Sequence, residues 1–142
     1  MIVAVGLDLV EVDRIRNATL RQPVKFLQRC FHPEELLALE GRLEIYTGLA
    51  ARFAAKEAFA KCWRSPLNWT DVWVVKDGMR PLLKTSERLA DALEAEGLVA
   101  HVSLTHTAEH ASAVVILERL ELGGPAQADD AQVPDHLTRG QT

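Results

Sequence analysis

The sequence predicts one α+β domain in which a largely antiparallel sheet packs against a long helix, in the element order β-α-α-α-β-β-α-β-β. Residues 2–9 alternate as a strand does, and residues 45–64 have the alanine-rich, periodic composition of a long helix. Near the other end of the chain, strand patterns at 98–105 and 111–118 flank a short turn. Strands joined by a short turn pair in antiparallel fashion, so the predicted sheet is largely antiparallel.

The size and charge of the chain exclude some functions. It has 142 residues, of which 48% are apolar and 25% are charged, and its formal net charge is −4. One domain accounts for this length, and a chain this long buries a core without disulfides. A mildly acidic protein is not a generic basic nucleic-acid binder, although its charge is compatible with a local basic patch.

Cysteine usage and hydropathy predict a soluble, cytoplasmic protein. Cys30 and Cys62 are the two cysteines and form no C-x-x-C pair, so neither a disulfide framework nor a cysteine zinc site is expected. The N-terminus lacks the positive segment of a signal peptide, and no stretch approaches the roughly 18 apolar residues of a membrane helix. We therefore expect no contact with a membrane.

The first strand and the helices after it follow from local patterns. The two faces of the strand, both of which we expect to be largely covered, carry Val3, Val5, Leu7 and Leu9 on one side and Ile2, Ala4, Gly6 and Asp8 on the other. A helix follows from about Asp13, and Pro23 breaks it and restarts it as a first-turn proline. Another helix opens at Pro33 with two glutamates in its first turn, where acids suit the helix dipole.

The second half of the predicted domain begins with the long helix, whose alanines allow close packing. A strand pattern covers residues 69–76, a glycine turn precedes the next strand, and a helix over residues 86–96 stops at a glycine. Residues 123–142 contain almost nothing that a core could bury. We therefore expect a folded domain over residues 1–122 and a disordered C-terminal tail.

Two acids are the first candidates for chemistry. Asp8 stands among apolar residues at the end of the first strand, where a carboxylate needs a partner or a metal; a cap on the next turn is the alternative. Glu57 and Lys61 share a helix face at the edge of an apolar stripe, and a solvated ion pair is the alternative. If Asp8 and Glu57 meet, they supply two oxygen ligands for magnesium, which takes few protein ligands.

A polar strand end is the third candidate. Alternation places His101, Ser103 and Thr105 on one face of their strand, and His106 on the other face leads into the hairpin turn. Hydroxyls and an imidazole suit contacts to a phosphate or a nucleotide. The alternative is a half-buried polar face followed by a turn histidine.

Basic residues concentrate between residues 11 and 30, where five lysines and arginines against two acids give a net charge of +3. Arg14, Arg21, Lys25 and Arg29 follow one another at intervals of seven, four and four residues, along one side of two short helical segments. Such a face can dock an acidic partner, and a solvated basic face is the alternative. So few cations give few phosphate contacts, which argues against nucleic acid.

Three segments are specific in combination. They are residues 5–12 (VGLDLVEV) with Arg14, residues 49–61 (LAARFAAKEAFAK) and residues 102–106 (VSLTH). In this order, over about residues 2–119, they resemble the holo-[acyl-carrier-protein] synthase family of trimeric 4'-phosphopantetheinyl transferases. The resemblance implies a 4'-phosphopantetheinyl transferase-like fold, and a homotrimer with active sites at subunit interfaces.

The resemblance also implies an activity in fatty acid biosynthesis. The 4'-phosphopantetheine group of coenzyme A passes to a serine of an apo acyl carrier protein, and adenosine 3',5'-bisphosphate is released. The catalytic positions correspond to Asp8, Glu57 and Lys61. By the same resemblance, Asp8 and Glu57 bind magnesium together with the coenzyme A pyrophosphate, and Lys61 contacts phosphate.

The remaining site residues follow from the resemblance in the same way. Coenzyme A contacts are implied for Arg52, Lys61, Ser103, Thr105 and His106, with the Ser-Leu-Thr-His segment reaching the coenzyme across a subunit boundary. Docking of the acidic carrier protein is implied for Arg14, Arg21 and Lys25.

The chain departs from the family pattern in two loops. Residues 62–66 (CWRSP) lack the glycine that usually follows the second motif, and residues 78–81 (GMRP) are one residue longer than the usual Gly-x-Pro. These changes support an alternative function, a non-catalytic module of the same fold that binds a carrier protein or coenzyme A. Dependence of an activity on magnesium distinguishes the two.

Overall fold

The computed structural model describes residues 1–121. Its elements in chain order are β1 (Ile2–Glu11), α1 (Val12–Arg21), α2 (Pro23–Cys30), α3 (Pro33–Leu39), α4 (Tyr46–Cys62), β2 (Val72–Asp77), β3 (Arg80–Thr85), α5 (Glu87–Ala95), β4 (Leu98–His106) and β5 (His110–Arg119). None of the helices in this part of the chain is long and apolar enough to cross a membrane.

The α+β class and the predicted element order are confirmed. The predicted break at Pro23 is confirmed, because α1 ends at Arg21 and α2 begins at Pro23. The helix predicted at Pro33 is α3, and it begins with a capping box. Its His32 ring accepts a hydrogen bond from the Glu34 N–H, and the Glu35 carboxylate accepts one from the His32 N–H. The predicted tail lies outside the described residues, so its boundary stays a prediction.

The strands form two antiparallel sheets. One has the order β1-β5-β4, and the other is the β2-β3 hairpin. In the three-stranded sheet Leu7 pairs with Val114, and Val114 pairs with Ser103 on the other side. Side chains of directly paired residues point to the same face. Leu7, Val114 and Ser103 therefore form one row across what we call the outer face of this sheet.

The other face of the three-stranded sheet, the inner face, packs against α4. Gly6 lies on it, and a Cβ there would be 1.9 Å from the Ala58 carbonyl oxygen and 2.9 Å from Cys62 Sγ. Only a glycine lets the helix approach the strand so closely. Ala54, Ala55 and Ala58 of α4 are fully buried, so small residues on the helix allow the same close contact.

The expectation that both faces of the first strand are covered is wrong within a single chain. Gly6 and Val10 on the inner face are buried. Val5, Leu7 and Leu9 on the outer face are instead 59%, 62% and 66% exposed. The physical reason is that α4 covers one side of the sheet, and residues 1–121 supply no second layer for the other side. An apolar strip along β1 therefore remains open to another molecule.

Candidate active site

Asp8 lies on the inner face of β1, beside α4. Its side chain is only 17% exposed, and the Lys61 ammonium lies 3.2 Å from Asp8 Oδ1. The same ammonium donates a hydrogen bond to the Leu7 carbonyl oxygen, at 2.6 Å. The strand continues to Glu11, so Asp8 lies within the strand rather than at its end, and the turn-capping interpretation is wrong. This carboxylate and this ammonium form one polar site between sheet and helix.

Glu57 lies one helical turn before Lys61 on α4 and is half-buried. It lines a cavity of about 130 Å³ whose other walls are Lys56, Ala60, Leu67, Asn68, Trp69 and Val72. Lys61 pairs with Asp8 on the neighbouring strand, so the alternative of a solvated Glu57–Lys61 pair does not describe this site. Residues four apart on a helix are neighbours, so Glu57 lies one turn from the Lys61 that contacts Asp8.

The acids at this site suit a magnesium ion held by few protein ligands. Within residues 1–121, no three side chains among His, Cys, Asp and Glu converge on one point. Asp8 and Glu57 would supply two carboxylates to such an ion and would leave its other positions for phosphate oxygens and water. Magnesium is commonly bound in this way beside a substrate phosphate. The donor set fits the ion.

The polar strand end is not brought to Asp8 within one chain. Ser103 and Thr105 are exposed on the outer face of β4, whereas Asp8 is on the inner face of β1, and β5 separates the two strands. His106 ends β4 and is also exposed. A ligand at Asp8 would therefore meet these residues most directly if they came from a second copy of the chain.

Arg52 points into the protein. It is 5% exposed, and its guanidinium donates to the Gly48 carbonyl oxygen at 3.1 Å. Its Nε has no hydrogen-bond partner in the described part of the chain. Burial lowers the pKa of Arg52, while the nearby Glu35 carboxylate opposes that shift. The predicted contact between Arg52 and coenzyme A receives no support from this geometry and stays a prediction.

The predicted basic residues do share a surface. Arg21 and Lys25 line a cavity of about 790 Å³ between α1, α2 and α4, together with Ala18, Gln22, Phe26, Arg29, Cys30, Phe53 and Trp69. The Arg14 guanidinium lies 5.7 Å from the centre of the Phe53 ring. The break at Pro23 therefore does not divide the basic face. We call this the docking cavity, a basic rim around an aromatic floor.

Sequence reasoning missed a buried ion pair beside Glu57. The Lys56 ammonium lies 2.9 Å from the Glu35 carboxylate, and the two side chains are 3% and 0% exposed. Burial lowers the pKa of the Lys56 ammonium, and Glu35 opposes that shift. The signal in the sequence is the placement of Lys56 three residues from both Phe53 and Phe59, on the apolar side of the helix. A charge at such a position requires a buried partner.

The domain places carboxylates and an ammonium between a sheet and its long helix, and comparison with known proteins identifies the class to which it belongs. The sequence model of the 4'-phosphopantetheinyl transferase superfamily matches residues 4–115. The chain belongs to this superfamily of transferases.

The similarity extends over nearly the whole length of several relatives. A holo-[acyl-carrier-protein] synthase of Thermus thermophilus is 47% identical over 124 residues, which are 87% of this chain and 99% of the relative. The crystal structure of the Neisseria meningitidis synthase matches with a TM-score of 0.76 at 30% identity, over 83% of this chain and 99% of that one. The Helicobacter pylori synthase in complex with coenzyme A matches with a TM-score of 0.69 at 27% identity, over 81% and 100%.

Proposed function

We propose that this protein transfers 4'-phosphopantetheine from coenzyme A to a serine hydroxyl of an apo acyl carrier protein, with magnesium, and releases adenosine 3',5'-bisphosphate. The observation that carries the proposal is the Lys61–Asp8 pair, with Glu57 one helical turn away. The names of the relatives support the reaction, and the Helicobacter pylori complex supports coenzyme A as the donor.

The reaction exchanges one phosphorus–oxygen bond for another. The serine oxygen bonds to the phosphorus that carries pantetheine, the bond from that phosphorus to the bridging pyrophosphate oxygen breaks, and its electron pair leaves with adenosine 3',5'-bisphosphate. Negative charge increases on the transferring and leaving oxygens, so positioning and electrostatic stabilisation supply most of the catalysis. The Lys61 ammonium, half exposed beside Asp8, can reach such an oxygen and offset that charge.

Asp8 and Glu57 are the residues that would hold magnesium. When bound, the ion supplies further positive charge at the pyrophosphate oxygens. The serine proton passes to Glu57 or to a water molecule that Asp8 orients. We favour the water, because a carboxylate used as a metal ligand is a poorer base. The pH–rate profiles of Glu57→Gln and Asp8→Asn test this, and an acidic limb that is unchanged in both variants would contradict both acceptors.

The docking cavity is the proposed site for the acidic carrier protein. Arg14, Arg21 and Lys25 lie on its rim or over its aromatic floor. Acidic side chains of a carrier are attracted to such a rim, and its apolar side chains can enter the cavity. Trp69 lines both this cavity and the Glu57 cavity, so a carrier seated here lies beside the proposed catalytic residues.

We also propose a homotrimer whose active sites form between subunits. Burial of the exposed apolar strip of Val5, Leu7 and Leu9 against another subunit would favour association. Ser103 and Thr105 lie on the same outer face. A second copy seated on this face would contribute its hydroxyl-bearing strand end to a site between subunits, as the resemblance to the family implies. Coenzyme A would then be held by residues of two chains.

Intact-mass spectrometry of an apo acyl carrier protein, incubated with this protein, coenzyme A and magnesium, tests the proposed function. We expect a mass gain of about 340 Da, one phosphopantetheine, which a chelator abolishes. Measurable binding of coenzyme A without a mass gain on any of several carriers would favour the non-catalytic module instead.

A further inference from the structure

Each of the three N–H groups of the buried Lys56 ammonium has a partner in the protein. These partners belong to α3, to β2 and to the loop that precedes β2. The ammonium contacts the Glu35 carboxylate of α3 at 2.9 Å and donates to the carbonyl oxygens of Trp69 and Val72, at 2.9 and 2.5 Å. Glu35 in turn accepts a hydrogen bond from the Val74 N–H of β2, at 3.0 Å. The pair therefore fixes the connection from α4 to β2, which includes Trp69.

Trp69 occupies a special place in that connection. Its ring stacks on Phe53 with ring centres 4.8 Å apart. It lines the docking cavity on one side and the Glu57 cavity on the other. Any shift of the Trp69 backbone would move the boundary between the place where a carrier would dock and the carboxylate near which its serine would react.

Lys56 itself cannot act on substrate, because its side chain is 3% exposed and all three of its N–H groups have partners in the protein. Replacement of a buried ion pair by apolar residues often costs no stability, so a gain in stability does not by itself explain the Glu35–Lys56 pair. Its contacts are instead directed at two carbonyl oxygens of the cavity wall. These contacts suit a residue that holds Trp69 in place.

We propose that Lys56 is a positioning residue, which, with Glu35, holds Trp69 as the shared wall of the docking and Glu57 cavities. The inference rests on the proposed function, since it assumes that a carrier docks in one cavity and reacts beside the other. Loosening this wall misplaces the acceptor serine relative to the pyrophosphate, while the binding of coenzyme A alone is unaffected. A misplacement of about 1 Å costs as much as a hundredfold in rate.

The test uses the double variant Glu35→Gln/Lys56→Met, because the single variant Lys56→Met would leave Glu35 buried without a counter-charge and would fail to fold. The matched control is Glu34→Gln/Lys84→Met. It removes a Glu–Lys pair from the neighbouring position of α3, but one that is exposed, with 3.2 Å between the charged atoms.

For the buried-pair variant we expect kcat with the carrier to fall by about tenfold to a hundredfold, while the Kd for coenzyme A stays unchanged in calorimetry. Trp69 reports its own position in a Trp63→Phe/Trp73→Phe background, where it is the remaining one of three tryptophans. Its emission should shift to longer wavelength in the buried-pair variant and not in the exposed-pair control.

A folded double variant with wild-type kcat, or with unchanged Trp69 emission, would overturn the inference. So would a fall in kcat that the exposed-pair control shows equally. These outcomes can be distinguished from a failure of the proposed function, because in that case the wild-type protein itself would modify no carrier.

Discussion

The Lys61 ammonium lies 3.2 Å from Asp8 Oδ1, although the two residues are 53 positions apart in the chain. The contact joins β1 to α4 at the point where the sheet and helix meet the solvent. It combines a half-exposed cation with a mostly buried carboxylate, so the cation can move toward a phosphate while the carboxylate stays fixed. This relationship is the basis of the first prediction.

Lys61→Met should lower kcat for phosphopantetheine transfer by about a hundredfold to a thousandfold, the usual cost of one lost group that stabilises transition-state charge. The fold should persist, because Lys61 is half exposed and methionine retains most of the side-chain length. Steady-state kinetics with Lys76→Met as the control measure the effect. A Lys61→Met protein with wild-type kcat would exclude the proposed role.

Reversal of charge on the docking cavity should weaken carrier binding alone. Arg21→Glu/Lys25→Glu should raise KM for the carrier by about tenfold or more, because attraction to an acidic partner becomes repulsion. KM for coenzyme A should not change. The control is Lys76→Glu/Lys84→Glu, which reverses two exposed lysines on the β2-β3 hairpin. Equal effects of both double variants would show that net charge, rather than this cavity, attracts the carrier.

The exposed strip on β1 should mediate self-association. Light scattering should give the wild-type protein a mass about three times the 15.7 kDa of one chain. Val5→Lys/Leu9→Lys should give monomers and abolish transfer, because a monomer lacks the partner's contribution to the site. Leu37→Lys, at a position 69% exposed on α3, is the control. An active monomeric double variant would contradict a site between subunits.

Asp71 should stabilise the fold in a pH-dependent manner. Burial alone would raise the pKa of its carboxyl, but hydrogen bonds from the Asn68 N–H, the Ser86 hydroxyl and the Arg88 guanidinium lower it overall. A lowered pKa in the folded state adds stability above the unfolded value of about 3.9, and this stability is lost as the pH falls through the folded value.

Asp71→Asn should therefore lower the free energy of unfolding by about 1–3 kcal/mol at pH 7. The difference from wild type should stay level down to about pH 4 and shrink below it. Urea titrations at a fixed protein concentration measure it, with the exposed Asp91→Asn as the control. A difference that grows on acidification would show that these hydrogen bonds do not favour the ionised carboxyl.

Local sequence patterns predict most of the fold because each element has a local cause. The alternation of residues 2–9, the first-turn prolines at 23 and 33 and the alanines of α4 act within a few residues. The division into two sheets is not a local property, because it depends on which strands pair. The exposure of the outer face of β1 is not a local property either, because apolar alternation along a strand does not indicate which part of the molecule covers each face.

The candidate site, like the fold, could be predicted from the sequence only in part. Asp8, Glu57 and Lys61 stand out by residue type and by family motif, but only the folded chain shows that Lys61 reaches Asp8. The Glu35–Lys56 pair was missed because its members are 21 positions apart and their burial depends on α3 packing on β2. Arg52 carries the family motif, yet its guanidinium points inward to Gly48.

The rate of phosphopantetheine transfer by Asp8→Ala, measured beside Asp91→Ala, tests the central claim most directly. Asp91 is an exposed aspartate of α5 outside the proposed site. We expect Asp8→Ala to transfer at least about a thousandfold more slowly at every magnesium concentration, with a normal circular dichroism spectrum, and Asp91→Ala to match wild type. A folded Asp8→Ala protein that modifies the carrier at the wild-type rate would contradict the assignment of this site.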